Sequence, residues 1–304
     1  MADFAAHTLF GEMVHVKASQ WAAYPTIRNW GLQGPDILFF RRAISGGGPL
    51  HCFGSEMHSS NISKQFYEMA HYINHLPALQ RDAAIAYFYG FLCHYSLDSI
   101  IHPYVEHHVG RLKTGFPELT EGAIHCQIET DMDIDLYTYL RKVPVNRFSP
   151  GELYTVTREQ SELIGCIVSV TIYNTYGIAL PAAEIMAAVG DTLRTTKALY
   201  APTKLIHAAA GLAETLMHKE GQFTSHVKAY KPKWDSLNLR GSGWYSPFQP
   251  ERRRTETVIQ LMELAARKAE GLIAAYAEMF ATGEIKELEY DVTYEGVPVI
   301  APKV

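Results

Sequence analysis

The chain has 304 residues, 47% of them hydrophobic and 19% charged, with a formal net charge of −5. That composition supplies a large apolar core and no basic excess, so nucleic acid is not expected as a stable partner. No apolar run of about eighteen residues is present to span a bilayer, and the opening Met1-Ala2-Asp3 lacks the basic region of a signal peptide.

In chain order, residues 3–20 predict an amphipathic helix that stops near Pro25. Residues 31–61 read as a loop, because GLQGPD, SGGGP and SSN are breaker signals. A helix follows over 62–76, with Asn61 as N-cap and Pro77 as the stop. Long helices are predicted at about 79–102, 120–141 and 151–176. Pro103 disfavours the α conformation for the residue before it, so the first of these is expected to end or bend there. Further helices are expected after Pro181 and over 202–220. A Gly-, Pro- and aromatic-rich loop spans 228–250, and a last helix runs over about 251–281. The tail, 284–304, alternates loosely enough for a short β-hairpin. No repeat or low-complexity linker divides the chain. The expected fold class is therefore all-α, one multi-helix domain over 1–304.

Four cysteines, Cys52, Cys93, Cys126 and Cys166, are widely spaced with no CxxC pair. Free thiols in a reducing compartment follow, and the expected location is cytoplasmic. Histidine is distributed unevenly: eleven of the fourteen lie at or before His125. The first half of the chain is therefore where chemistry is expected.

The segment GFLCHYSLDSIIHPY (90–104) places His94, Asp98 and His102 at intervals of four on one stripe of an apolar helix. Roughly one or two H-x3-[DE] pairs should arise by chance in such a composition. Three occur: His94/Asp98, His102/Glu106 and His125/Glu129. Asp and His rarely enter an apolar stripe without a partner, because a lone buried charge is costly. Two helices presenting imidazole and carboxylate toward one interior form a workable metal cage. Zn²⁺ suits those ligands, as do Fe²⁺ and Mn²⁺. By contrast, His71/His75 have no carboxylate beside them and read as filler. His107 and His108 read as a solvated helix end, and Asp131, Asp133 and Asp135 as mostly solvated. Cys93 and Cys126 read as small core residues.

Taken together, AAHTLFG, GLQGPDILFF, SEMHSS, GFLCHYSLDSIIHPY and AIHCQIETDMD make residues 1–140 resemble the zinc-dependent phospholipase C family, which is itself related to trinuclear-zinc nucleases. The late GWYSPFQPERR and its following helix look like intracellular bacterial members. The resemblance implies two or three Zn²⁺ ions. It matches His7 to an early ligand, and Asp36 to a metal-contacting aspartate and candidate general base. His58 matches the next ligand, with His51 as its rival. His94 and Asp98 match an HxxxD pair whose aspartate bridges two ions; His125 and Glu129 match an HxxxE pair on a further ion, with His102 as third ligand there. Secreted members use a processed N-terminal Trp as a ligand, where this chain begins Met1-Ala2-Asp3. The gap from Asp98 to His102 is also shorter than theirs.

The implied activity is hydrolysis of a small-molecule or lipid phosphodiester. Two readings from other classes stand beside it. One is a metal-holding helical protein without turnover. The other is a carboxylate di-metal bundle, for which Glu12/His15 and Glu68/His71 have the E-x-x-H spacing. Adjacent His-Asp, needed by HD-type phosphohydrolases, does not occur. Oligomeric state is not legible in the sequence.

Overall fold

A 38-residue helix, α6 (Ala78–Gly115), forms the axis of the protein in this computed structural model, which describes residues 4–42, 50–200, 204–217, 221, 223–228 and 231–299. Its central residues are apolar on every side, the pattern of a helix meant to be covered all round. It is covered accordingly: α3 (Pro25–Leu32), α7 (Glu121–Arg141) and α12 (Val258–Thr282) pack along it, and residues 83–99 are buried without a break. The remaining helices are α1 (Phe4–Met13), α2 (Ser19–Ala23), α4 (Leu50–Ser59), α5 (Ile62–Asn74), α8 (Pro150–Tyr154), α9 (Arg158–Tyr176), α10 (Ala182–Leu199) and α11 (Lys204–Met217). The all-α class expected from periodicity is the one found. No helix among the described residues is long and apolar enough to cross a membrane.

Pro103 does not end α6; the helix continues for twelve more residues. The lost amide removes one bond, at a cost on the order of 3 kcal/mol. Packing holds the turn nonetheless. Pro103 is buried, and its ring abuts Gly296 so closely that a Cβ there would meet Cγ at 2.6 Å.

Other boundaries shift for local reasons. The helix expected over 3–20 breaks after Met13, where Val14 and Val16, poor helix formers, precede a second start at Ser19. The loop expected over 31–61 contains α4, because Gly54 packs against the Phe39 ring and tertiary contact overrides the Gly/Ser signal. The SGGGP run lies outside the described residues. The helix expected over 151–176 is two, since Thr157 and Gln160 form a capping box that restarts the chain. Residues 251–254, expected to open the last helix, instead pair with the preceding loop. There β1 (Trp244–Ser246) and β2 (Gln249–Arg254) form an antiparallel hairpin, with the Arg254 guanidinium 4.4 Å above the Trp244 ring. The tail contributes a single antiparallel bridge, Val292 to Pro298, and its last five residues lie outside the described set.

Two packing devices position the ligand-bearing segments. Between α3 and α6 the backbones touch: a Cβ on Gly31 would lie 2.0 Å from Tyr87 O, and one on Gly90 2.2 Å from Arg28 O. This contact sets the following 3-10 turn, Gly34–Leu38, directly on α6. Meanwhile, the first-turn amides of α1, which have no partner within the helix, are met from elsewhere. Ala6 N donates to Asp133 Oδ1 at 2.6 Å, Ala5 N donates to the Tyr200 hydroxyl at 3.0 Å, and that hydroxyl donates to Asp133. Asp133 and Asp131 are thus buried groups, not the solvated ones their alternation suggests.

Candidate metal centre

The eight residues singled out in the sequence come from five segments: His7 from α1, Asp36 from the 3-10 turn, His58 from α4, His94, Asp98 and His102 from α6, and His125 and Glu129 from α7. They gather into three groups able to hold a metal ion: His7/His94/Asp98, Asp36/His58/His94 and His102/His125/Glu129. The first two share His94 and meet at Asp98; the third lies one turn further along α6.

Asp98 is fully buried and reaches in two directions. Its Oδ1 lies 3.4 Å from His7 Nε2, while Oδ2 lies 3.1 Å from His94 Nε2 and 3.7 Å from His58 Nε2. Asp36 Oδ1 is 3.2 Å from His58 Nε2, and the Nε2 atoms of His58 and His94 are 3.5 Å apart. In the third group Glu129 Oε1 lies 3.3 Å from His102 Nε2 and 3.1 Å from His125 Nε2. A good charge-assisted N–H···O bond is shorter, about 2.7–2.9 Å. Ligand atoms on a tetrahedral ion with bonds of about 2.0–2.1 Å are separated by about 3.3 Å. The spacing matches ligands around a common centre better than directly bonded pairs.

Tautomers point the same way. His58 Nδ1 lies 2.7 Å from Gly54 O, His94 Nδ1 3.1 Å from Leu32 O, and His102 Nδ1 2.9 Å from Tyr294 O. His125 Nδ1 lies 2.8 Å from Glu106 Oε1. A carbonyl can only accept, so the Nδ1 atoms of His58, His94 and His102 carry protons and donate; the Glu106 carboxylate accepts from His125 in the same way. Each bond leaves the Nε2 atom facing its group, where it can bind an ion on losing any proton it carries, the arrangement that holds metal-ligating imidazoles elsewhere. Neither nitrogen of His7 and neither oxygen of Asp98 has a hydrogen-bond partner among the described residues. A buried polar group left unsatisfied costs about 1–3 kcal/mol. A divalent ion would satisfy these atoms together, so the donors fit one.

Gly34 makes room for this arrangement. Its φ is +50°, and a Cβ would stand 2.3 Å from the His94 ring, so the left-handed turn before Asp36 accepts only glycine.

Without an ion, charge divides sharply over the groups. Burial raises the Asp98 carboxyl, but the positive charge of His94 and His102 and the contacts of His58 and His7 hold it well below the usual range. Burial likewise opposes ionisation of Asp36, and His94 and His58 outweigh it to lower the group. His58 is pushed down by burial yet ends at about 10, because Asp36 and Asp98 favour its proton. For His94 burial prevails and the shift is downward. In the third group His125, despite burial, rises to about 9 beside Glu129 and Glu106, and Glu129 is held well below its usual value by His125 and His102.

Several contacts differ from the sequence reading. Glu106 serves His125 across two helices, although its spacing pairs it with His102. The rival His51 is exposed and rests its ring on Phe39, outside the three groups. His108 is no solvated end: it lies between the rings of Tyr104 and Trp234, and burial lowers it to about 4. The E-x-x-H pairs are not gathered into a group; Glu12 pairs with Arg141, and Glu68 accepts from Asn174 at 3.0 Å. Tyr294 belongs with the centre but has no spacing signal, since it reaches the site from the far end of the chain.

No known protein family, characterised protein or solved structure matches the chain. Its own geometry describes an all-helical protein with three His/Asp/Glu groups, buried but for a partly exposed His125, that could hold metal ions.

Proposed function

We propose that the protein is a zinc-dependent phosphodiester hydrolase of the phospholipase C kind, holding two or three Zn²⁺ ions. The observation that carries this reading is Asp98, whose two oxygens face different imidazoles, His7 on one side and His94 and His58 on the other. That is the disposition of a carboxylate between two ions. Bound Zn²⁺ would supply charge for phosphate oxygens and acidify a coordinated water. His7, His58, His94, Asp36 and Asp98 would hold the paired ions, and His102, His125 and Glu129 the other.

Asp36 is the residue best placed to handle a proton. It is buried and ionised, and its Oδ1 lies 3.2 Å from the ligand atom His58 Nε2, so it can orient an attacking water or accept its hydrogen. Imidazole and carboxylate ligands favour Zn²⁺, as do distances compatible with tetrahedral geometry. The substrate class is a small or lipid phosphodiester.

A second reading, a metal-holding helical protein without turnover, is favoured by the burial of His7, His94 and Asp98, each 0% exposed. One experiment separates the two. Zinc-loaded and chelated samples are assayed on a chromogenic phosphodiester and on phospholipid vesicles, beside Asp98→Asn. Zinc-dependent release of product that Asp98→Asn abolishes supports the hydrolase. Stoichiometric zinc with no turnover on either substrate supports the silent protein, and full zinc content in Asp98→Asn contradicts the bridging role.

A further inference from the structure

After α12 the chain returns to the centre as a tight turn. Val299 N donates to Asp291 O at 2.8 Å, Thr293 N to Val297 O at 2.8 Å and Gly296 N to Thr293 O at 3.0 Å. Tyr294 sits at the tip and is fully buried. Its two backbone polar atoms serve two different ion-binding groups. Its N–H donates to His58 O at 3.1 Å, and its carbonyl accepts from His102 Nδ1 at 2.9 Å.

Each bond has a distinct consequence. His58 lies in the last turn of α4, where carbonyls lack an intrahelical donor, so the Tyr294 amide holds the end of the helix that presents this ligand. The bond to His102 fixes the tautomer that turns Nε2 toward Glu129. The Tyr294 ring packs 5.0 Å from the His58 ring and 5.8 Å from that of His94, and its hydroxyl accepts from Gln65 Nε2 at 2.9 Å. The turn can seat this deeply because Gly296 has φ +75° and lies against α6; a Cβ would meet Pro103 Cγ at 2.6 Å and Ser99 O at 3.0 Å.

We propose that the 291–299 turn, through the backbone of Tyr294, is a positioning element shared by the Asp36/His58/His94 and His102/His125/Glu129 groups, so that displacing it weakens metal binding at both. This rests on the metal-binding reading above but not on turnover. It assigns a role in the centre to a segment that contributes no ligand.

The test uses the full chain and zinc alone. Gly296→Val lifts the turn from α6, and Gly271→Ala on α12, where a Cβ meets nothing within 4 Å, serves as the control. Zinc affinity is read by competition with a chelator, and occupancy of each group by anomalous scattering from zinc-soaked crystals. Helical content is compared by circular dichroism. The expected result is wild-type binding in Gly271→Ala, with zinc bound about 10–100-fold more weakly at both groups in Gly296→Val, the range for a lost outer-shell partner. Unchanged binding in Gly296→Val, or loss at one group only, overturns the proposal. Independently of any variant, the nitrogen-15 shifts of His102 in the metal-free wild type should show Nδ1 protonated; an Nδ1 without its proton overturns it even if Gly296→Val does not fold. A wild type that binds no zinc removes the metal-binding reading itself, and this inference with it.

Discussion

His58 Nε2 and His94 Nε2 face each other 3.5 Å apart, and each ring already donates its Nδ1 proton to a backbone carbonyl. Two neutral imidazoles so held would oppose lone pair to lone pair in a buried site. A cation between or beside them is required, either a proton or a metal ion. Asp36 and Asp98 beside the same atoms supply the negative charge that either would need. The centre is built for positive charge, and the competition between protons and metal governs its behaviour.

Stability of the metal-free protein should therefore peak near pH 6.5. His58 and His125, raised to about 10 and about 9 from 6.5, bind protons more tightly when folded. Their contribution is complete below pH 6.5 and is lost as pH rises through 9 and 10. Asp98 and Glu129 are lowered from 3.8 and 4.5, so theirs is complete above those values and is lost as pH falls. His94 and His108 are lowered from 6.5, so stability also falls as pH drops below 6.5, and thermal melts in chelator should show a maximum near pH 6.5 with an alkaline decline. With zinc, metal replaces the protons and the alkaline decline should vanish, because ligand deprotonation favours binding. A chelated protein whose melting temperature climbs from pH 7 to 10 contradicts this.

Glu106 should matter to one ion and not the others. Its carboxylate, lowered chiefly by the His125 hydrogen bond, orients that ring. Glu106→Gln is expected to weaken zinc at the third group about 10–100-fold and leave the paired ions intact. Chelator competition with elemental analysis would detect the loss of one ion per chain.

Gly34→Ala makes the complementary cut. The positive φ costs about 1–3 kcal/mol for a residue with a side chain, and the Cβ collides with the His94 ring. Because His94 belongs to both groups that meet at Asp98, the paired ions should be lost and the third retained. A variant with all ions present and an unchanged melt would show that the turn has slack.

Asp133→Ala should loosen α1. The carboxylate accepts from Ala6 N and Tyr200, and a hydrogen bond to a charged group contributes about 1.5–3 kcal/mol. Denaturant melts should show a loss of that order, and zinc at the His7 side of Asp98 should weaken while the third group is unaffected.

What the sequence could disclose followed from local spacing. The four-residue rhythm of His94, Asp98 and His102, and of His125 and Glu129, put each set on one helix face before any fold was known, and the apolar run around the first set marked it as interior. Contacts across long separations left no such trace. Glu106 looked like a partner for His102 because both are on α6, yet it turns to His125 on α7. Asp133 looked solvated because its neighbours alternate, yet it anchors the first turn of α1. Tyr294 has no pattern at all; a backbone amide and carbonyl make its contacts, and every residue carries those. Pro103 is the opposite case: its local preference is to stop a helix, and packing against Gly296 accompanies a helix that runs on.

The most direct test is anomalous scattering at the zinc absorption edge from crystals of zinc-loaded protein. The account predicts density on both sides of Asp98, with His7 on one side and His58, His94 and Asp36 on the other, and a separate peak at His102, His125 and Glu129. No peak at these residues, or ions held only by surface histidines such as His71 and His75, would contradict it.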